Sequence, residues 1–330
     1  MWDCCNQDLK EGNQDASLKG RMDGGHRRDL VSNVPELDGH DNQDYQIKHA
    51  PQDAVKVTQM NPLDSKVEQV VKSRGSFKFS DDLDSQFKGL PHLGPYKYEN
   101  GATYEGQYMN GKRHGRGRQV WSDGSAYEGY WLFDKSSLKG RLIHLEGDFF
   151  EGDWENDQAS GFGIYEHSDG TVYEGEWKGD KQNGSGKERW PDQSVYTGEY
   201  LNSLKHGKGL FTWVDGSSYE GEFFENDIHG KGTYVWSDQR TYTGEWKKNK
   251  MDGKGVFSWS DGRKYVGDYM EDKKHGYGEF FWKDNRIYKG PWVNGKQEGK
   301  AVLISEDGTA REGIWKDGVR IKWCDESELK

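Results

Sequence analysis

Cysteine is close to absent from this chain, with three residues in 330, at positions 4, 5 and 324. That is too few, and too badly spaced, for a disulfide framework or a zinc site. No apolar run approaches the roughly 18–20 residues of a membrane span, and no signal peptide follows Met1. A reduced, cytosolic compartment is the expectation. Positive charge is in deficit: 46 basic against 57 acidic side chains leave a net −11, which argues against a nucleic-acid groove or a polybasic membrane patch. Aliphatic side chains are scarce as well, with only 32% of the chain hydrophobic and a mean hydropathy of −1.12. Disorder would explain that scarcity. It would not explain 14 Trp, 18 Tyr, 13 Phe and 45 Gly, because disordered chains are poor in Trp and Tyr.

The aromatics divide the chain once. Residues 1–89 hold only five of them (Trp2, Tyr45, Phe77, Phe79 and Phe87) among Asp, Gln, Asn, Ser and Lys. This part reads as a polar, largely disordered N-terminal tail. Val67, Val70 and Val71 have the i, i+3, i+4 spacing of one short helix over 64–73, against which stands a solvated linker, the reading the composition favours. Residues 90–323 form a second region, and 324–330 a short C-terminal tail.

From Gly94 onward the chain repeats itself. Aromatic-x-Gly-x-aromatic begins at Tyr104, Tyr127, Phe150, Tyr173, Tyr196, Tyr219, Tyr242, Tyr265 and Tyr288, always 23 residues apart, without insertion or deletion. The unit from Tyr219 to Thr241 reads YEGEFFENDIHGKGTYVWSDQRT. Tyr219, Gly221 and Phe223 share one parity and Glu220 and Glu222 the other, which is the alternation of a half-buried strand. Gly232, Tyr234 and Trp236 repeat the pattern in the second half. Each unit is therefore expected to be a β-hairpin, since recurrent glycines would each cost a helix about 1 kcal/mol. One turn is expected near 225–229. The other follows at Ser-Asp-Gly (Ser122-Asp123-Gly124, Ser168-Asp169-Gly170, Ser260-Asp261-Gly262), where Asp-Gly supplies positive φ. Gln193, Gln239 and Asn285 replace that glycine. The third-position glycine gives a neighbouring ring room to lie flat across the strand. The predicted fold is all-β: an elongated, single-layer antiparallel meander, a twisted ribbon about 90–100 Å long at ~10 Å per hairpin.

Tyr173-Glu174-Gly175-Glu176-Trp177-Lys178, Tyr219-Glu220-Gly221-Glu222-Phe223 and the His-Gly-Lys-Gly runs at 206–209 and 229–232 resemble MORN (membrane occupation and recognition nexus) repeats, whose pattern is Y-x-G-x-W-x-x-G/N-x-x-x-G-x-G. The resemblance covers roughly 94–323. Leu138 and Ala301 depart from it at glycine positions, and Arg311 replaces the opening aromatic of a tenth, frayed unit. It implies a stand-alone array of the kind found in protists and in ciliary or radial-spoke scaffolds. Relatives also act at cytoskeletal structures and membrane junctions, and some carry lipid kinases or methyltransferases. Residues 1–89 are too short and too polar for such a catalytic domain.

Chemistry finds little support in the sequence. Gly-x-Gly, as at Gly115-Arg116-Gly117, never lies between a strand and a helix, so a phosphate cradle is not expected. His114, His206, His229 and His275 recur once per unit and would sit ~10 Å apart, too far to converge on one metal. They read as turn residues. The pairs Glu174/Glu176 and Glu220/Glu222 recur along the array and read as a solvated face rather than one concave site. No enzyme, cofactor or metal is expected.

Two features remain. Trp131, Trp154, Trp177, Trp246 and Trp292 stand at repeat position five, and Trp121, Trp190, Trp213, Trp236, Trp259 and Trp282 at position eighteen. A single-layer sheet cannot cover its apolar face fully, so the surplus of this aromatic face is the expected partner-binding surface. The partners anticipated are other proteins of a cytoskeletal or ciliary (axonemal) assembly, with self-association as a further option. Acidic phospholipid is less favoured, because residues 90–330 carry 34 basic and 41 acidic groups; service as accessory subunit of a lipid kinase is a further alternative. Cys4 and Cys5 are candidates for S-acylation, though Trp2 stands where myristoylation needs glycine.

Overall fold

The computed structural model describes residues 50–324, and Cys4 and Cys5 lie outside them. The described residues form one open antiparallel sheet of 23 strands that pair in sequence order, except that Lys296–Gln297 and Gly299–Ile304 both pair with Ile287–Val293. The chain divides into two compact units between Gly184 and Ser185.

The unit from Tyr219 shows why the sequence folds this way. Strands Ser218–Phe224 and Asp227–Val235 are joined by Glu225 and Asn226, both at positive φ (51° and 72°), the pair of values a type I′ hairpin turn requires. Gly221 pairs with Gly232, but the next pair is Glu222 with His229, so Gly230 and Lys231 bulge out. The bulge has its own satisfaction. The Tyr219 hydroxyl donates to the Glu222 carbonyl at 3.0 Å, and the Glu222 carboxylate accepts the Lys231 N–H at 3.3 Å. Glu199 and Asp268 serve their bulges in the same way. These carboxylates are thus part of the hairpin rather than only a solvated face, and His206, His229 and His275 lie in strands at the bulge rather than in turns.

Asp or Asn at position eight holds one hairpin to the one before it. Asn249 Oδ1 accepts the Ile228 N–H at 2.7 Å, and Asp272 Oδ1 accepts the Met251 N–H at 2.8 Å. The second turn is an Asx turn. Asp238 Oδ1 accepts the Arg240 N–H at 3.1 Å, while Gly124, Gly170 and Gly262, and in their place Gln193, Gln239 and Asn285, take positive φ.

The opening tyrosine lies flat over the paired glycines, so the expected use of glycine holds. A Cβ on Gly232 would stand 2.5 Å from Tyr219 Cζ. Each such ring also meets the fifth-position ring edge to face, as in Tyr242–Trp246 (5.0 Å, 90°) and Tyr127–Trp154 (5.2 Å, 87°). Such pairs add about 0.5–1.5 kcal/mol beyond area burial. The opening rings are at most 1% exposed, so this file of aromatics replaces an aliphatic core.

Residues 50–89 are structured where the sequence reading puts a tail. Strand Ala54–Lys56 pairs with His92–Tyr98, and helix Ser65–Arg74 starts at an Asp64 cap that accepts the Lys66 N–H. Val67 is fully buried against Val120, Ala126, Ile143 and Phe149. A second cluster joins Phe77, Phe87 and Leu90 to Met109 and Tyr130. The Tyr130 hydroxyl donates to Ser80 O at 3.0 Å, and Arg141 donates to Gly75 O at 2.7 Å. The physical reason lies in the repeats: the first two offer Val120, Ala126, Tyr130, Ile143 and Phe149 to this segment on a face that is mostly charged or polar. A few anchors on the leading segment are then enough.

At the other end, Arg311 lays its guanidinium 4.4 Å from the Trp323 ring, in place of the opening tyrosine. Among the described residues no helix is long and apolar enough to cross a membrane.

Candidate functional site: a row of half-buried tryptophans

The eleven tryptophans of the expected aromatic face fall into two classes, with Trp121, in the first repeat, half-buried like the other position-eighteen rings. Trp131, Trp154, Trp177, Trp246 and Trp292 are 3–7% exposed. Four of these indoles donate to the carbonyl of a glycine 14 residues earlier: Trp154 to Gly140, Trp177 to Gly163, Trp246 to Gly232 and Trp292 to Gly278. They clip each repeat to the preceding one and offer no surface to a partner. Both classes share strand parity, which is why the sequence pattern does not separate them. Position five is enclosed by the opening rings on either side, whereas position eighteen lies at the rim, beside the second turn.

Trp190, Trp213, Trp236, Trp259 and Trp282 are the rest of the exposed class, all half-buried and all within residues 185–330. They alternate with the sixteenth-position rings in one continuous row. Trp190 stacks on Phe211 at 5.3 Å, Phe211 meets Trp213 at 4.4 Å, and Trp213 meets Tyr234 at 5.2 Å. Tyr234–Trp236, Trp236–Phe257, Phe257–Trp259, Trp259–Phe280 and Phe280–Trp282 continue it at 4.4–5.6 Å. Sequence reasoning found the tryptophans but not the intervening Phe and Tyr, although their fixed 23-residue recurrence was there to be read.

Cations border the row. Arg240, Arg263 and Arg286 each lie 5.3–5.5 Å from the ring of their own tryptophan, and each pairs with the aspartate two residues before it at 2.7–2.8 Å. These three pairs are charge-neutral. Lys205 reaches Trp190 at 4.8 Å and the Glu188 carboxylate at 3.2 Å. Lys274 is surrounded by Phe280, Trp259, Trp292 and Tyr265, at 4.6–5.1 Å. Burial pushes the Lys274 ammonium down to about 8 and the Arg263 charge adds to the push, while the ring faces attract the cation.

A concave feature lies within residues 50–184. It is an open groove of about 640 Å³ between the leading segment and the first repeats, bordered by Phe79, Phe87, Glu105, Arg116 and Glu128. Among the described residues no group of three or more His, Cys, Asp or Glu is arranged to hold a metal ion.

A comparison with curated proteins finds no match. Similar solved structures include the TCP10 domain of Danio rerio CPAP, at 13% identity over 62% of this chain and 97% of that one, with a TM-score of 0.35. Another is the TCP domain of Drosophila melanogaster SAS-4 in complex with a proline-rich motif of Ana2, at 11% identity over 57% and 93%, TM-score 0.30. The MORN repeat matches residues 104–126, 150–172, 173–195, 196–218, 219–239, 242–262, 265–285 and 288–310. With those repeats over more than half of its length, and with the hairpins they predict, the chain belongs to the MORN repeat family.

Proposed function

We propose that this protein is a non-catalytic scaffold that docks protein partners along the row Trp190–Trp282, within a cytoskeletal or ciliary assembly. The observation that carries the reading is the row itself: five half-buried tryptophans at a constant 23-residue interval, on one continuous file of rings. Half-exposed tryptophans are the residue type most often found to anchor interfaces, because each covers a large rigid area at little entropic cost. An array of identical hairpins supplies such anchors at fixed spacing without needing a concave catalytic site.

Cell fractionation combined with cross-linking mass spectrometry tests this. The tagged protein is expected in the cytoskeletal or axonemal fraction, cross-linked to residents of that fraction, with a variant carrying Trp213→His, Trp236→His and Trp259→His released. Histidine is the chosen replacement because His144 and His167 occupy the same repeat position. Uniform release of the wild-type chain with soluble cytosol would sink the proposal. Flotation with anionic liposomes at low salt, unaffected by the tryptophan changes, would replace it with a membrane-surface role.

A further inference from the structure

One charge in the row has no counter-ion. Lys205 and Lys274 occupy the same repeat position three units apart, and both ammonium groups sit among ring faces. Their electrostatic settings differ. Glu188, 17 residues before Lys205, places a carboxylate oxygen 3.2 Å from its Nζ. The residue 17 before Lys274 is Phe257, which belongs to the ring file. Among the described residues, Lys274 Nζ has no carboxylate within ion-pair distance and no hydrogen-bond acceptor. Arg240, Arg263 and Arg286, the nearby cations, are each taken by their own aspartate. Ring faces attract a cation by about 0.5–2 kcal/mol each, but they do not return the hydration an ammonium loses on burial as a carboxylate would. The row therefore carries a localised positive charge beside Trp259 that a partner's anion would complete.

The spacing of the row says what kind of chain fits. Two strands advance each repeat by roughly 9.6 Å along the row. One turn of polyproline-II chain, three residues, covers ~9.3 Å and returns each side chain to the same face, so side chains at i, i+3 and i+6 stay in step with successive tryptophans, whereas a β-extended chain would point i and i+3 to opposite faces. The nearest helical repeat, seven residues, covers ~10.5 Å and falls out of step by nearly 3 Å over three repeats.

Building on the docking role proposed above, we infer that the segment Trp236–Trp282 binds a peptide in the polyproline-II conformation carrying one carboxylate side chain. The carboxylate pairs with Lys274, and prolyl or large apolar residues three positions apart rest on Trp236, Trp259 and Trp282. The Asp–Arg pairs beside those rings are neutral in themselves, so Lys274 is the cation among the ring faces that the peptide's carboxylate completes.

A random 15-residue phage-displayed peptide library panned against the full-length protein supplies the probes, and the enriched peptides are synthesised for fluorescence anisotropy. Enriched peptides are expected to combine one Asp or Glu with proline or apolar residues at three-residue spacing. Replacing that acid by its amide is expected to weaken binding about tenfold or more on the wild-type protein, the value of one charge-assisted contact. On Lys274→Met the acid and amide peptides are expected to bind equally. That variant is structurally conservative, because Met251 fills the same position one repeat earlier. Trp259→His is expected to weaken both peptides. Acid and amide peptides that bind alike on the wild type would overturn the Lys274 pairing. If Trp259→His still weakened both, the docking row would survive that failure. Binding unchanged by Trp259→His, enrichment of basic peptides, or no enrichment at all would overturn the inference outright. So would Lys274-dependent binding to phosphatidylserine vesicles in place of peptide.

Discussion

A methyl group is enough to test the packing rule of the repeat. A Cβ on Gly232 would stand 2.3 Å from Tyr219 Oη and 2.6 Å from Cε2, and the Tyr219 ring is fully buried with its hydroxyl engaged by Glu222 O. The ring has nowhere to retreat, so Gly232→Ala is expected to cost about 2–3 kcal/mol in urea unfolding followed by tryptophan fluorescence. Glu220→Ala, on the opposite face of the same strand, is expected to cost less than about 0.5 kcal/mol. Equal costs would mean that the glycines are there for the backbone and not for the ring. A second residue-scale effect belongs to His114. Its imidazole is 6% exposed between Phe87 and Phe133, Nδ1 accepts the Phe133 N–H at 3.3 Å, and burial pushes its pKa down to about 4. The folded value lies below the unfolded one, near 6.5. Between those two values the unfolded chain binds the extra proton, so stability falls as pH drops from about 6.5 to about 4. The loss is on the order of 2–3 kcal/mol once the pH is below both. Melting curves at pH 7 and 4.5 should therefore show a larger acid shift for the wild type than for His114→Asn; parallel shifts would exclude His114 as the source.

At the scale of elements, the leading segment is held by very few side chains, and Val67 is the central one. Its full burial against Val120, Ala126, Ile143 and Phe149 is worth about 2 kcal/mol, and an aspartate there would add the cost of an unpaired buried charge. Val67→Asp is expected to release helix Ser65–Arg74 and open residues 57–90 to limited proteolysis, with the repeats after Gly184 unaffected. Unchanged cleavage would mean that Phe77, Phe87 and Leu90 hold the segment by themselves. This element also marks where the sequence stopped being legible. The hairpins, both turns and the flat tyrosines follow from a 23-residue period with two-residue alternation, because each repeat packs mainly on its own neighbours. The docking of 50–89 does not, since its apolar residues are few and their partners sit on a mostly polar face whose scattered apolar positions do not mark one segment for burial. A signal existed in the repeats themselves. Tyr130 stands where most other units carry Glu or Asp and Leu138 where they carry Gly, and the unit that holds both, 127–149, is the one between 104 and 310 that the MORN repeat does not match. In the candidate site, position eighteen was legible as aromatic, but its exposure and the burial of position five were not. Both lie on one parity, and only the three-dimensional neighbours separate rim from interior.

At the scale of the molecule, stability should be local. Strand pairing stays within a repeat or between adjacent repeats, the ring contacts run between adjacent repeats, and the Asp or Asn clasps reach back by one repeat only. In such an array the free energy is close to a sum of repeat and nearest-neighbour terms, so damage spreads one interface and then fades. Residues 185–330 provide the test, with Gly232→Ala as the local lesion. Amide exchange should accelerate in Asp227–Val235 and in the flanking strands Ser218–Phe224 and Thr241–Lys247, by the factor that about 2–3 kcal/mol implies, some 30- to 150-fold. Strand Ile287–Val293, which opens the third repeat after the one holding Gly232, should change by less than about twofold. A uniform increase across all strands of 185–330 would instead make that unit one cooperative block. The distinction bears on docking, because a peptide laid along Trp236–Trp282 would tie three repeats together. In a locally stable array its binding must raise protection in all three at once, whereas in a cooperative block the same ligand would raise protection everywhere.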